Sequence, residues 1–210
     1  MTSARVRMIE TGWEQTLVVE IDAPLADPER GQVLVEVEAC GVCHRDLIDR
    51  AGRFPFQRLP ITPGHEAAGR VVAIGAGVTS WSVGDRVGTM HRDSCGECVA
   101  CRAGQTSLCN SAAWVFGILA DGGYARHLVA PERALYALPD DLSGPEAAVL
   151  HCTFGTAYRD LAVLGHLQRG ERVLITGASG GVGAAAVQIA SRLGAEVVAV
   201  VRDERRRAFV

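Results

Sequence analysis

Cys95, Cys98, Cys101 and Cys109 follow one another with two, two and seven residues between them, inside the segment DSCGECVACRAGQTSLC. Four sulfurs this close along the chain can surround a single tetrahedral ion at roughly 2.3 Å each. Soft thiolate donors select Zn²⁺, or an iron–sulfur cluster, over Mg²⁺ or Ca²⁺. With every position taken by protein there is no vacancy for water, so the expected site is structural and the loop 93–110 folds around it. Such sites contribute about 10–16 kcal/mol of apparent binding energy, enough to order a loop with little core of its own. Four redox-active thiols are the alternative; the fourfold spacing favours a metal.

The rest of the composition narrows the function classes. In 210 residues, 48% apolar and 21% charged, there is core material for one domain or somewhat more. The 21 basic residues against 24 acidic ones leave a formal charge of −3, too little field to gather nucleic acid or an anionic membrane surface. All the basic residues are arginine, which stays protonated, so lysine Schiff-base chemistry is excluded. No window approaches 18 uninterrupted apolar residues, and the start MTSARVRMIE is charged where a signal peptide would be apolar. A cytoplasmic protein is expected, and six of the seven cysteines suit reduced, metal-binding thiolates in a reducing compartment.

Along the chain, GQVLVEVEA from Gly31 to Ala39 alternates Val33, Val35 and Val37 with Leu34, Glu36 and Glu38, the period of a half-buried strand. Short strands and glycine- or proline-rich turns continue, including Asp121 to Gly123, so residues 1–140 read as a small all-β domain. Ser143-Gly-Pro-Glu146 then marks a helix start with a capping box. Arg172 to Thr176 is a short apolar strand. A glycine cluster follows from Gly177 to Gly183, then a helix to Leu193 with Val182, Ala186, Ile189 and Leu193 on one stripe, then a second strand from Glu196 to Val201. Residues 141–210 therefore read as linking helices and one βαβ unit.

A second set of metal-type residues is scattered: Cys43 in ACGVCHRDL, His65-Glu66 in TPGHEAAG, and Cys152 in AAVLHCTFGT. Each alone is weak. In this order, together with the four-cysteine loop and the glycine turn, they make the chain resemble the zinc-containing medium-chain alcohol dehydrogenases and reductases. The resemblance implies a β-rich GroES-like partly open barrel followed by the start of an α/β Rossmann domain, and a hydride exchanged between NAD(P) and an alcohol, aldehyde or ketone. It implies Cys43, His65 and Cys152 as ligands of a catalytic Zn²⁺ with one open position. Glu66 matches a carboxylate that can approach the metal, and Asp46 matches the acid that orients the ligand histidine. Cys40, although in a Cys-x-x-Cys pair with Cys43, reads as a buried small apolar residue.

The turn Gly177-Ala-Ser-Gly180-Gly181-Val182-Gly183 is a one-residue-expanded form of the glycine-rich fingerprint found in some members of that family. Between a strand and a helix it can cradle a pyrophosphate. Thr156 matches a position beside the nicotinamide, and His44 one near the pyrophosphate. The second strand ends Val200-Val201-Arg202 with Asp203 one or two positions late, so Arg202 tilts the expectation towards NADP, with NAD kept open.

Two departures matter. Alcohol-oxidising members carry a serine or threonine two residues after the first zinc cysteine, often with a histidine three further on; here Arg45 and Ile48 stand there, and neither can accept a proton. The segments GVCHRDL and HCTFGTAYR are more similar to members that reduce acryloyl-type thioesters or other activated double bonds, so an NADPH-dependent reductase of α,β-unsaturated thioesters or carbonyls is the alternative. Only 39 residues (210 − 172 + 1) run from Arg172 to the end, against the six strands of a doubly wound sheet. The chain thus reads as an N-terminal portion, which leaves a non-catalytic zinc-binding fragment as a further alternative. The expected partner is a small-molecule substrate, with homo-oligomers in the full-length form.

Overall fold

The structure is a computed structural model and describes residues 2–111 and 114–210. The chain divides into two compact units, one extending to Val149 and the other Leu150–Val210.

In the first unit, β1 (Thr2–Arg7) pairs antiparallel with β2 (Val18–Pro24). Then come β3 (Gln32–Gly41), α1 (His44–Arg50), β4 (Glu66–Ile74), β5 (Arg86–Thr89), α2 (Val99–Arg102), β6 (His127–Pro131), β7 (Leu135–Ala137) and α3 (Gly144–Ala148). Five of these strands form one sheet in the order β6-β3-β4-β5-β7, with every neighbouring pair antiparallel. The valine alternation of β3 fills the core: Val33 and Val35 are buried with Val71, Val87, Phe116 and Leu128, and Trp81 and Trp114 pack against them. Leu34, expected on the opposite side, is buried as well. β3 itself runs without a break beside β6, and the extra residue at the neighbouring bulge, Val72, lies on β4 between the partners of Leu34 and Val35. The capping box at Ser143 forms, with the Ser143 N–H donating to Glu146 Oε2 at 2.9 Å, and α3 ends after five residues.

The second unit opens with helical turns over Leu150–Phe154, α4 (Gly155–Tyr158) and Arg159–Leu164, the outer two wound as π-type turns. The strands β8 (Arg172–Thr176) and β9 (Glu196–Val200) pair in parallel, joined by α5 (Gly181–Leu193). Ala157, Ile175, Ala178, Ala185, Ala186 and Ala190 make the core of this unit. The buried stripe of α5 thus runs through alanines, which let the helix lie close to its strands. Val182, placed on the apolar stripe by sequence periodicity, is 44% exposed, because the inward face is centred on Ala185 and Ala186 instead. Among the described residues no helix is long and apolar enough to cross a membrane.

All three tryptophans, Trp13, Trp81 and Trp114, belong to the first unit, so their fluorescence reports its unfolding. Phe116 is 1% exposed, and Phe116→Ala is expected to cost about 3–5 kcal/mol in urea unfolding followed this way. Val19→Ala, at a 66% exposed position, should stay within about 0.5 kcal/mol.

Candidate metal centres and cofactor turn

In the cysteine loop, one sulfur from each of Cys95, Cys98, Cys101 and Cys109 lies within 4.8 Å of the others. Cys95 Sγ is 3.9 Å from Cys101 Sγ and 3.6 Å from Cys109 Sγ. A tetrahedron with arms of roughly 2.3 Å has edges of about 3.8 Å, so the sulfurs already stand at the spacing of a tetrathiolate centre. Backbone amides serve them: Cys95 N–H donates to Cys109 Sγ at 3.4 Å and Cys98 N–H to Cys95 Sγ at 3.3 Å. Outside the loop, Arg133 Nη1 donates to Cys95 O at 2.9 Å and Arg92 Nη2 to Cys109 O.

These donors spread the thiol acidities. The Cys95 and Ser111 amides pull Cys109 down to about 6, and the Cys101 amide pulls Cys98 down. Desolvation, and then the thiols around it, push Cys101 up to about 11. Four adjacent thiols do not ionise together unaided; a divalent cation removes that obstacle. None of the seven cysteines is in a disulfide.

The second centre is built on Asp46. Cys43 is the N-cap of α1, and its Sγ accepts from Arg45 N–H at 3.5 Å. Three residues on, Asp46 reaches back so that its Oδ2 accepts the Cys43 N–H at 2.8 Å. The same oxygen accepts from the Tyr124 hydroxyl at 2.7 Å. Oδ1 lies 3.2 Å from His65 Nδ1. Burial raises the Asp46 pKa, but the bonds to His65, Cys43 and Tyr124 outweigh it together, and the carboxyl is held below its ordinary range. With Nδ1 facing Asp46, the other ring nitrogen of His65, Nε2, lies 3.9 Å from Glu66 Oε1. One donor atom from each of Cys43, His65 and Glu66 falls within 4.8 Å of the others. A soft sulfur, an imidazole nitrogen and a carboxylate suit a borderline-soft divalent ion.

His65 and Glu66 are both 2% exposed, at the point where β4 begins. The turn before them is stapled by backbone bonds to the 122–124 loop: Gly122 N–H to Thr62 O at 2.7 Å, Gly123 N–H to Gly64 O at 3.0 Å and Tyr124 N–H to Pro63 O at 3.0 Å. Gly64 takes φ +93°, and a Cβ there would stand 2.9 Å from the Tyr124 amide nitrogen and 3.0 Å from Cys40 Sγ. Cys40 packs against the main core, and burial pushes its thiol up to about 12, as fits a packed thiol.

Of the two departures on α1, Arg45 is held by two acceptors. Arg45 Nε donates to Asp49 Oδ2 at 3.1 Å, and its Nη2 donates to Phe116 O at 2.5 Å. Asp49 is fully buried, and desolvation raises its pKa. Ile48 is half-buried, and His44 is exposed in the first turn of α1.

The remaining site residues belong to the second unit and are described within it. Cys152 is half-buried in the turn Leu150–Phe154, and Thr156 is exposed on α4. Gly177 takes φ +64°, Gly180 is the N-cap of α5, and a Cβ on Gly183 would stand 2.3 Å from Gly177 O. The turn therefore closes against the helix start only with glycine at 183, leaving Gly181 and Val182 in the first turn of α5. Ala178 N–H donates to Val200 O at 3.1 Å, tying the turn to the end of β9. There Ser179, Arg202, Asp203, Arg205, Arg206 and Phe209 line an open hollow of about 540 Å³. Asp203 caps the following helical turn by accepting from Arg206 N–H at 3.2 Å. Sequence reading overlooked Tyr124 and Ser179. Tyr124 sits in what reads as an ordinary glycine turn, and only its distant partner Asp46 gives it meaning.

Residues 29–140 match the family described as the alcohol dehydrogenase GroES-like domain. An alcohol dehydrogenase of Geobacillus stearothermophilus is 43% identical over 197 residues, which cover 90% of this chain and 56% of that protein. The acryloyl-coenzyme A reductase of Metallosphaera sedula is 35% identical over 210 residues, covering all of this chain and 61% of its own. The cobalt- and zinc-bound thermostable alcohol dehydrogenase from Pyrobaculum aerophilum superposes with a TM-score of 0.87 at 34% identity, over the whole of this chain and 64% of that one. The chain thus spans a little over half to two thirds of the length of these proteins.

Gly64→Ala should cost about 2–3 kcal/mol, from the left-handed backbone and the contact with the Tyr124 amide, read as a lowered midpoint in thermal unfolding. Gly104→Ala, at a position of positive φ with open space around it, separates the two causes by carrying the backbone cost alone.

Proposed function

The chain belongs to the zinc-containing medium-chain alcohol dehydrogenase and reductase family, and on that premise we propose that it forms the metal-bearing and cofactor-entry part of an NAD(P)-dependent oxidoreductase acting on a small carbonyl compound or alcohol. The observation that carries this reading is the Asp46 arrangement, in which one carboxylate holds both the cap of Cys43 and the ring of His65. Cys152 is the third protein ligand in this proposal, supported by the family resemblance of its segment. Zinc held by Cys43, His65 and Cys152 supplies Lewis acidity towards the substrate oxygen. Asp46 fixes the tautomer of His65, so that Nδ1 carries the proton and Nε2 presents its lone pair. Glu66 stands by as a carboxylate within reach of the same point.

At the cofactor turn, the amides from Gly177 to Gly183 and the N-terminus of α5 face the pyrophosphate. By family resemblance, Thr156 would serve the nicotinamide and His44 would supply a donor to the pyrophosphate. Arg202 meets a ribose 2′-phosphate, which selects NADP; the engagement of Asp203 as a helix cap supports this, because it draws that carboxylate away from a ribose diol. The four-cysteine loop holds a second, structural zinc. The domain assignment follows: residues 1–140 as the GroES-like catalytic domain with its zinc loop 93–110, and 141–210 as linking helices and the first βαβ unit of the cofactor domain. Cytoplasmic location and a homo-oligomeric full-length enzyme belong to the same proposal.

A second reading concerns the substrate. Arg45 is held by Asp49 and Phe116 O, and Ile48 has no labile proton, so the hydroxyl path that alcohol oxidation uses has no counterpart on α1. Reduction of a double bond conjugated to a carbonyl or thioester does not need that path: hydride goes to the β carbon while the oxygen is stabilised.

Two zinc equivalents per chain are expected. Metal analysis should fall by about one in Cys98→Ser, with loss of thermal stability, and by about one in Cys43→Ser with the fold retained; equal unfolding of both variants would contradict the division. Substrate-dependent NADPH oxidation with crotonyl-type thioesters, set against simple aldehydes, distinguishes the two substrate readings. A chain that holds zinc yet shows no saturable NADPH binding is a zinc-binding fragment alone.

A further inference from the structure

Within the first unit, Tyr124 makes contacts with the chain just before Cys43 and just before His65. Its hydroxyl lies 2.7 Å from Asp46 Oδ2 and 3.3 Å from Gly41 O, two residues before Cys43. Its backbone N–H donates to Pro63 O, two residues before His65. The ring edge lies over Gly64, where an added Cβ would stand 2.7 Å from Cδ1. Tyr124 thus clamps the end of β3 and the start of β4 at the level of the candidate ligands, and donates to the carboxylate that joins them.

We propose that Tyr124 is a positioning residue for the catalytic metal: by donating to Asp46 Oδ2 it turns the carboxylate so that Oδ1 faces His65 Nδ1, and so sets the direction of His65 Nε2. The geometry requires such a device. Asp46 Oδ2 already accepts the Cys43 N–H at 2.8 Å, and one such bond leaves a carboxyl group free to rotate about its Cβ–Cγ bond. A second donor on the same oxygen, from a loop anchored separately to Pro63 and Gly64, fixes the plane. Partners of this kind, one step removed from the ligands, commonly change metal affinity by about 10–100-fold when removed. A tyrosine is well suited, since its ring is a rigid lever and its hydroxyl a strong donor to a carboxylate.

The inference rests on Cys43 and His65 being metal ligands, so the experiment tests both separately. Zinc-loaded wild type, Tyr124→Phe, Asp46→Asn and the double variant are exposed to a colorimetric chelator, and zinc release is followed in time. The same four proteins with Co²⁺ replacing the chelator-labile zinc give visible absorption spectra. Tyr124→Phe keeps the ring, and retention of the slowly released zinc of the cysteine loop verifies the fold. The expected result is a labile zinc lost about tenfold faster in Tyr124→Phe, with shifted cobalt bands, and less than about a twofold further change when the hydroxyl is removed in the Asp46→Asn background. Release and spectra identical to wild type, or a tenfold effect that persists in Asp46→Asn, overturn the role assigned to Tyr124. A wild-type chain that never holds a second, labile zinc overturns the ligand assignment itself.

Discussion

One buried carboxylate organises the first unit. Asp46 is 8% exposed, and an ionised group at that depth costs several kcal/mol unless its oxygens are met by donors. Three different stretches of chain converge on them: the Cys43 amide at the start of α1 and the Tyr124 hydroxyl from the 122–124 loop donate to Oδ2, and the His65 ring at the start of β4 stands 3.2 Å from Oδ1. Because both donors to Oδ2 and the ring facing Oδ1 come from separate stretches, the end of β3, the entry to β4 and the glycine loop converge on one carboxylate.

The two cysteine systems rest on different supports. The Cys95–Cys109 loop is short in apolar contacts, and its order comes from sulfurs receiving amides and from Arg92 and Arg133 gripping its carbonyls. Arginine is apt for that work, as a planar fork of donors that never loses its charge. Arg45 is used in the same way, joining Asp49 to the Phe116 carbonyl.

Much of this was legible beforehand. The cysteine spacing pointed to a four-sulfur cluster because those residues are local, and the four sulfurs lie within 4.8 Å of one another. The strand, glycine turn, helix and second strand of 172–200 were readable from periodicity and punctuation. The readings that shifted are those where packing overrides pattern. Leu34 is buried on the face opposite Val33 and Val35, so both faces of β3 are covered there, and Val182 faces outward because the alanines at 185 and 186 allow the closer approach to the strands. Tyr124 could not be found from its neighbours in sequence, since its partner is 78 residues away.

By itself the sequence determined the chemistry available: seven thiols, no lysine, a glycine-rich turn between a strand and a helix, and a helix opening at Cys43 without a hydroxyl at position 45. These follow from residue identity and local spacing, which survive any arrangement of the chain. The tertiary structure alone decided which polar groups share a proton, that Arg45 is spent on Asp49 and Phe116, and that Asp46 answers to Tyr124. Such assignments depend on side chains far apart in sequence being forced to satisfy one another once water is removed from between them, and only the folded chain removes it.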